Sequence, residues 1–274
     1  VLRTFAALFC CAALSAQSSP PLNTLTPLEK NAGWQLLFDG KSLNGWDDPQ
    51  AKTPPGDAWT IEDGCIKAVK NPRIREDLLT TNAFRDFELV FDWRVSQGGN
   101  SGVKYRIQDS VILQDGKTKP NARFEETVDY EFAHRLARRD NLGPGDKIQG
   151  YQIGFEYQVI DDATHPDARR GGAQTAGALY SMIAPQRHTA KPPGEFNLAR
   201  IVLRGNRVEH WLNGEKVLDT RLNVKLIEES LAKRWGRESP VYRLLMRQPK
   251  KECPIGLQNH NDEVWFRNIK VRRL

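Results

Sequence analysis

Leu203-Arg-Gly-Asn-Arg-Val-Glu-His-Trp-Leu-Asn-Gly-Glu-Lys-Val217 reverses direction twice within fifteen residues. Gly205-Asn206 and Asn213-Gly214 are two-residue turn signals of the kind that demands positive φ, and Val208, His210 and Leu212 alternate between them. A period of two bounded by such turns reads as consecutive antiparallel strands, with Lys216 to Leu222 as the third.

Working outward, the same texture recurs. Strand candidates are Trp59 to Ile61, Cys65 to Lys70, Phe87 to Ser96, Gly102 to Ile107, Tyr151 to Ile160, Ala178 to Ile183 and Leu198 to Arg204. Pro254 to His260 and Val264 to Val271 close the chain as another pair, and Val224 to Trp235 reads as a helix. Short strands with turns between them, and no alternation with long helices, predict an all-β sandwich of two sheets. Gln108 to Lys147 stands apart as a charged insertion, in which Phe124, Val128, Phe132 and Leu136 recur every fourth residue and suggest one helix.

The 274 residues include 40 Lys plus Arg against 34 Asp plus Glu, interspersed as on a solvated surface rather than gathered into the basic face that nucleic acid requires. Seven Trp, six Tyr and eleven Phe supply an aromatic core, while 21 Gly and 16 Pro supply turns. Arg3, ten apolar residues from Phe5 to Leu14 and the small and polar run Ser15 to Ser19 form the pattern of a secretory signal, residues 1–19. The apolar run is too short to span a bilayer, so no transmembrane segment is expected, and export to the periplasm or the outside is. Leu8 and Phe9 ahead of Cys10 argue against a lipid anchor. Ser18 to Pro27 reads as a linker. Of the cysteines beyond the signal, Cys65 and Cys253 are read equally well as a disulfide or as two buried thiols.

In Tyr151-Gln-Ile-Gly-Phe-Glu-Tyr-Gln-Val-Ile160, Glu156 and Gln158 lie on the strand face opposite Phe155, Tyr157 and Val159. Asp161, Asp162, His165 and Asp167 follow, a rim of acids and an imidazole that leaves a divalent metal open, although the spacing is not that of a calcium hand. No other cofactor is implied. Lys104 and Arg106 share one strand face, as do Gln258 and His260, and Trp211 falls on a polar face where an indole can stack on a sugar ring. Phosphate-loop, dinucleotide-glycine, nucleophile-elbow and Cys-rich zinc motifs do not occur.

Gly33-Trp-Gln-Leu-Leu-Phe-Asp-Gly-Lys-Ser-Leu-Asn-Gly-Trp46, Asn100-Ser-Gly-Val-Lys-Tyr105, Gly154-Phe-Glu-Tyr-Gln-Val-Ile-Asp-Asp162 with His165-Pro-Asp167, Ala178-Leu-Tyr180, Pro193-Gly-Glu-Phe-Asn197, Val208-Glu-His-Trp-Leu-Asn-Gly214, and Leu257-Gln-Asn-His260 with Phe266-Arg-Asn-Ile269 resemble, in order, the 3-keto-disaccharide hydrolase family. The resemblance covers residues 32–274. It implies a concanavalin A-like jelly roll and action on 3-keto-glycosides, with an oligosaccharide or glycoside as substrate. Asn259-His260-Asn261 departs from the Asp, His and Gly that relatives usually carry. In this reading Glu156 and His260 form the acid/base pair, and Lys104 or Arg106 stabilises an enolate. Gln158, Gln258 and Asp161 orient sugar hydroxyls, while Tyr180 or Trp211 supplies a ring platform. Two further readings stand beside it: a glycoside hydrolase using Glu156 with Asp161, and a sugar-binding module without catalysis.

Overall fold

The computed structural model describes residues 21–47, 57–72, 74–114 and 148–274. Strands β1 (Trp34–Leu36), β2 (Trp46–Asp47), β3 (Trp59–Glu62), β4 (Cys65–Ala68), β5 (Ile74–Arg75), β6 (Leu78–Thr80) and β7 (Phe87–Val95) lead to the long pair β8 (Asn100–Gln114) and β9 (Ile148–Ile160). After these come β10 (Asn197–Arg204), β11 (Arg207–Leu212), β12 (Glu215–Arg221), β13 (Gly256–Leu257) and β14 (Val264–Arg273). Among the described residues one sheet runs β12-β11-β10-β7-β14-β4-β3 with β1 also on β14, and the other runs β2-β6-β13-β8-β9-β5. All pairings are antiparallel except the short parallel contact of β5 with β9. The fold is the all-β sandwich the sequence predicts.

Alternation explains how the sheets meet. On β7, Leu89, Phe91, Trp93 and Val95 are buried while Val90, Asp92 and Arg94 are only partly so. Val103 and Tyr105 of β8 and Phe155, Tyr157 and Val159 of β9 face them, and Phe91 meets Tyr157 edge to face with centroids 5.8 Å apart. Such pairs bury large apolar area and add about 1 kcal/mol from ring geometry. The remaining face of β8 and β9 therefore points away from the core, and the site is built there.

Both turns of the opening stretch form. Arg204 pairs with Arg207 around Gly205 (φ +55°), and Leu212 with Glu215 around Asn213 (φ +50°) and Gly214 (φ +86°). The second has positive φ at both central residues, as a type I′ turn needs; in the first only the glycine does, as in type II′.

Several expectations are corrected. Gln108 to Gln114 belongs to β8, so the strand runs further into the expected insertion than its composition suggested; the expected helix around Phe124 to Leu136 falls outside the described residues. Ala178 to Ile183 is not a strand: it makes isolated bridges, Leu179 to Tyr157 and to Ile183. The expected linker ends in a helical turn, Pro27–Asn31, because Thr26 and Glu29 form a capping box. The helix Lys225–Trp235 forms and continues after a break into helical turns through Arg247. Cys65 and Cys253 are both buried free thiols. No helix of the described residues is long and apolar enough to cross a membrane.

Candidate functional site

A cavity of about 380 Å³ opens on the outer face of β8 and β9, walled by the loop after β9, by the helix Lys225–Trp235 and by the segment after β13. That size suits a small polar ligand. Glu156, Gln158, Tyr180, Gln258 and His260 all line it, so five of the nine residues singled out in sequence converge.

Backbone pairing brings them together. Tyr180 N donates to Glu156 O at 3.0 Å, and Gln158 exchanges backbone hydrogen bonds with Gly177 and Ala178, so an irregular segment runs along the β9 edge and sets Tyr180 beside Glu156. From beneath, His210 of β11 anchors the same segment. Its Nδ1 donates to Gly177 O (3.0 Å) while its Nε2 accepts from the Tyr105 hydroxyl (2.9 Å), and burial pushes its pKa down to about 4, keeping it neutral. Gln258 N donates to Gly102 O (2.9 Å), which extends β13 along β8 and carries the chain towards His260. Asn259 fastens that loop through its amide nitrogen, donating to Ala58 O (2.8 Å) and Val69 O (3.1 Å). An aspartate could make neither bond. Asn261 adopts φ +72°, where the resemblance leads one to expect glycine.

Glu156 lies flat on the sheet. A Cβ placed on Gly102 would come within 2.6 Å of Glu156 Cγ and 2.7 Å of its Cδ, so the carboxyl occupies the space a side chain at 102 would need. Gln258 Nε2 reaches Glu156 Oε2 at 3.3 Å, and turning the Gln158 amide over lets its nitrogen donate to Oε1 at 3.1 Å. Burial raises the Glu156 pKa, with Lys104 opposing and Asp77 reinforcing the shift. A carboxyl that holds its proton above the usual range, at the floor of a polar cavity, is equipped for general acid/base work. Gly102→Ala is expected to displace this carboxyl and lower turnover at least tenfold, with binding of a ligand at the cavity mouth less affected; steady-state kinetics with parallel thermal melts check it.

Burial likewise pushes the Tyr180 hydroxyl up to about 12, keeping it a neutral donor beside Glu156. Arg234 of the helix stacks near the Tyr180 ring (5.5 Å), and Arg75, Tyr151 and Asp167 complete much of the wall. His260 shares its rim with His165, centroids 6.2 Å apart, and its Nδ1 lies 4.0 Å from Asp262 Oδ2.

Four expected site residues sit elsewhere. Lys104 lies beside Glu156 on the same sheet face but is wholly buried, with its ammonium 2.8 Å from Asp77 and 4.7 Å from the Tyr151 ring centroid. Arg106 does not share Lys104's environment. Between Tyr105 and Asp109, β8 advances four residues while β9 moves two, from Phe155 to Ile153, and this bulge with φ +54° at Arg106 breaks the alternation. Its guanidinium donates instead to Lys251 O and Gly205 O, both at 2.6 Å. Asp161 is consumed in shaping the loop, accepting from Gly98 N (2.8 Å), Ala163 N (2.9 Å) and the Thr164 hydroxyl. Trp211 is on the opposite sheet, between Arg200 and Lys216, with its indole donating to Glu209.

The acidic rim does not form a metal cluster, because Asp162 is also engaged, with Ala176 N (2.8 Å). A different trio, His165, His260 and Asp262, brings ligand atoms within 4.8 Å of one another. His165 Nδ1, however, accepts from Asp167 N (3.0 Å), which puts the ring proton on Nε2; a cation there would first have to break that bond or reverse the tautomer.

Comparison with known proteins gives a consistent picture. The family model for the 3-keto-alpha-glucoside-1,2-lyase-like domain matches residues 33–272. A 3-keto-disaccharide hydrolase of Bacteroides thetaiotaomicron is 34% identical over 256 residues, covering 88% of this chain and 79% of that protein. A provisionally named glycosyl hydrolase from Parabacteroides distasonis superposes with a TM-score of 0.67 at 27% identity, covering 93% of this chain and all of that one. Another from the same organism, at 24% identity and a TM-score of 0.53 over 88% of this chain and 99% of that one, shares the fold.

Proposed function

Because the chain belongs to the 3-keto-alpha-glucoside-1,2-lyase-like family, we propose that it is an exported glycoside hydrolase that cleaves 3-keto-glycosides by elimination across C1 and C2 followed by hydration. A ketone at C3 acidifies the C2 proton. A base removes that proton, the C1–O bond breaks as the C1=C2 bond forms, and the departing oxygen takes a proton. Water then returns hydroxyl to C1 and hydrogen to C2, so the net reaction is hydrolysis. Export rests on the charge, apolar run and small residues of 1–19 alone.

The observation that carries this reading is the partly buried Glu156 carboxyl lying in the Gly102 slot, with His260 across the same cavity. Elimination and hydration need one group to take a proton and another to give it, and these two groups supply the pair. The amides of Gln158 and Gln258 hold Glu156, while Tyr180 and Arg234 offer donors for a developing enolate oxygen. The two-carboxylate alternative is weakened by the engagement of Asp161 with its own loop.

Given a 3-keto-disaccharide and its unoxidised parent, the purified protein is expected to release monosaccharide from the keto form only, followed by chromatography. Cleavage of the parent at a comparable rate overturns the proposal, and saturable binding of either sugar without turnover turns it into a binding module.

A further inference from the structure

Two carboxyls, Asp77 and Glu156, flank one buried cation, Lys104. Asp77, just before β6, and Lys104, on β8, are each 2% exposed and bonded at 2.8 Å, and Lys104 is the direct cross-strand partner of Glu156. The backbone N–H of Asn259, the residue before His260, is near enough to Asp77 to favour its charged form. One buried acid therefore holds the cation beside Glu156 and lies next to the loop that presents His260. The Tyr151 ring stacks over the Lys104 ammonium.

Two acids crowd one buried ammonium here, with Arg75 acting on Asp77 and Arg234 on Glu156 from the cavity wall, and a charge buried without a partner would be disfavoured. Burial works against the Lys104 ammonium, yet Asp77 and Glu156 together hold it charged. Burial pushes both acids up, but Asp77 is bonded to Lys104 and shut away, while Glu156 lines the cavity and is the acid a ligand can reach. We propose that Asp77 is a positioning residue of this site, holding the ammonium of Lys104, the cross-strand neighbour of Glu156, to itself so that the glutamate exchanges its proton with substrate instead of being locked in an ion pair. This rests on the acid/base role of Glu156 given above. Other charged or titratable groups around Glu156 are His260 from the loop after β13, Arg234 from the helix, Tyr180 from the β9-edge segment and, on the same cavity wall, Arg75 of β5.

Opposite shifts test the idea. In Asp77→Asn the freed ammonium turns to Glu156, and the limb of the kcat/KM pH profile that belongs to Glu156 moves down by about one pH unit or more. In Lys104→Met, which removes the cation, the same limb moves up. A shared direction, or limbs that stay in place while melting temperature falls, overturns the proposal by leaving the pair a purely structural role. Asp77→Glu, which keeps the charge, should restore the wild-type limb. The infrared carboxyl band that disappears in Glu156→Gln is titrated in all variants as a second readout. It reports the same two shifts without turnover, so a protein inactive on 3-keto-glycosides would defeat the proposed function and still decide this one. Should Asp77→Asn fail to fold, Lys104→Met carries the test: an unmoved or lowered band titration overturns the proposal.

Discussion

Glu156→Gln is expected to lower kcat on a 3-keto-glycoside by about 100- to 10,000-fold, the range typical of losing a positioned acid or base. Glutamine keeps the length and nearly the shape of the side chain, so it still fits the Gly102 slot and can still meet the Gln258 and Gln158 amides. Stability provides the control. The native fold binds the Glu156 proton more tightly than the unfolded chain does, because burial raises its pKa. Stability contributed by this group is present below the ordinary glutamate value and is lost as pH rises through the raised native value. Glu156→Gln removes that loss, so the variant should melt no lower than wild type at neutral pH and gain relative to it as pH climbs from acid. Thermal melts across pH beside kinetics at one pH check both halves. A variant with near-wild-type kcat removes Glu156 from the chemistry, whereas a large fall in melting temperature assigns it to structure.

The legible parts of this protein are those governed by local rules. The turns at Gly205 and Asn213, the alternation in β7 and β9 and the facing of Glu156 with Gln158 follow from period-two geometry and φ preference, which a single strand expresses by itself. What failed was inference across irregularity. Parity puts Arg106 with Lys104, and the two-residue bulge between Tyr105 and Asp109 breaks that count. Asp161 looked like a ligand-binding acid, but the loop it starts needs a carboxylate to satisfy its own N–H groups. Trp211 could not be assigned to a sheet from its own strand, since which sheet a strand joins depends on partners distant in sequence. Asp77, Tyr151 and Arg234 carried no local mark at all. One missed residue did: a glycine inside a strand signals close approach of another group, and Gly102 lies in the middle of Asn100-Ser-Gly-Val-Lys-Tyr105.

His260→Ala should cost about 100-fold or more in kcat/KM with little change in stability. The reasons differ from those at Glu156. His260 is partly exposed, with its side chain 38% accessible, so truncation opens no sealed cavity, and the loop is held by Asn259 through its bonds to Ala58 and Val69 rather than by the imidazole. What the variant loses is an imidazole on the cavity wall, beside Asp262 and able to give or take a proton. Free imidazole added to His260→Ala is expected to restore part of the rate in a concentration-dependent way, because the space left by the ring is open to solvent. Rescue of that kind requires a proton-transfer role, since a merely structural histidine returns nothing when small imidazole is supplied. If His260→Ala stays within threefold of wild type, the partner of Glu156 must be sought among the other groups of the wall, and the Tyr180 hydroxyl, kept neutral by its pKa near 12, is the next donor in reach of the same ligand.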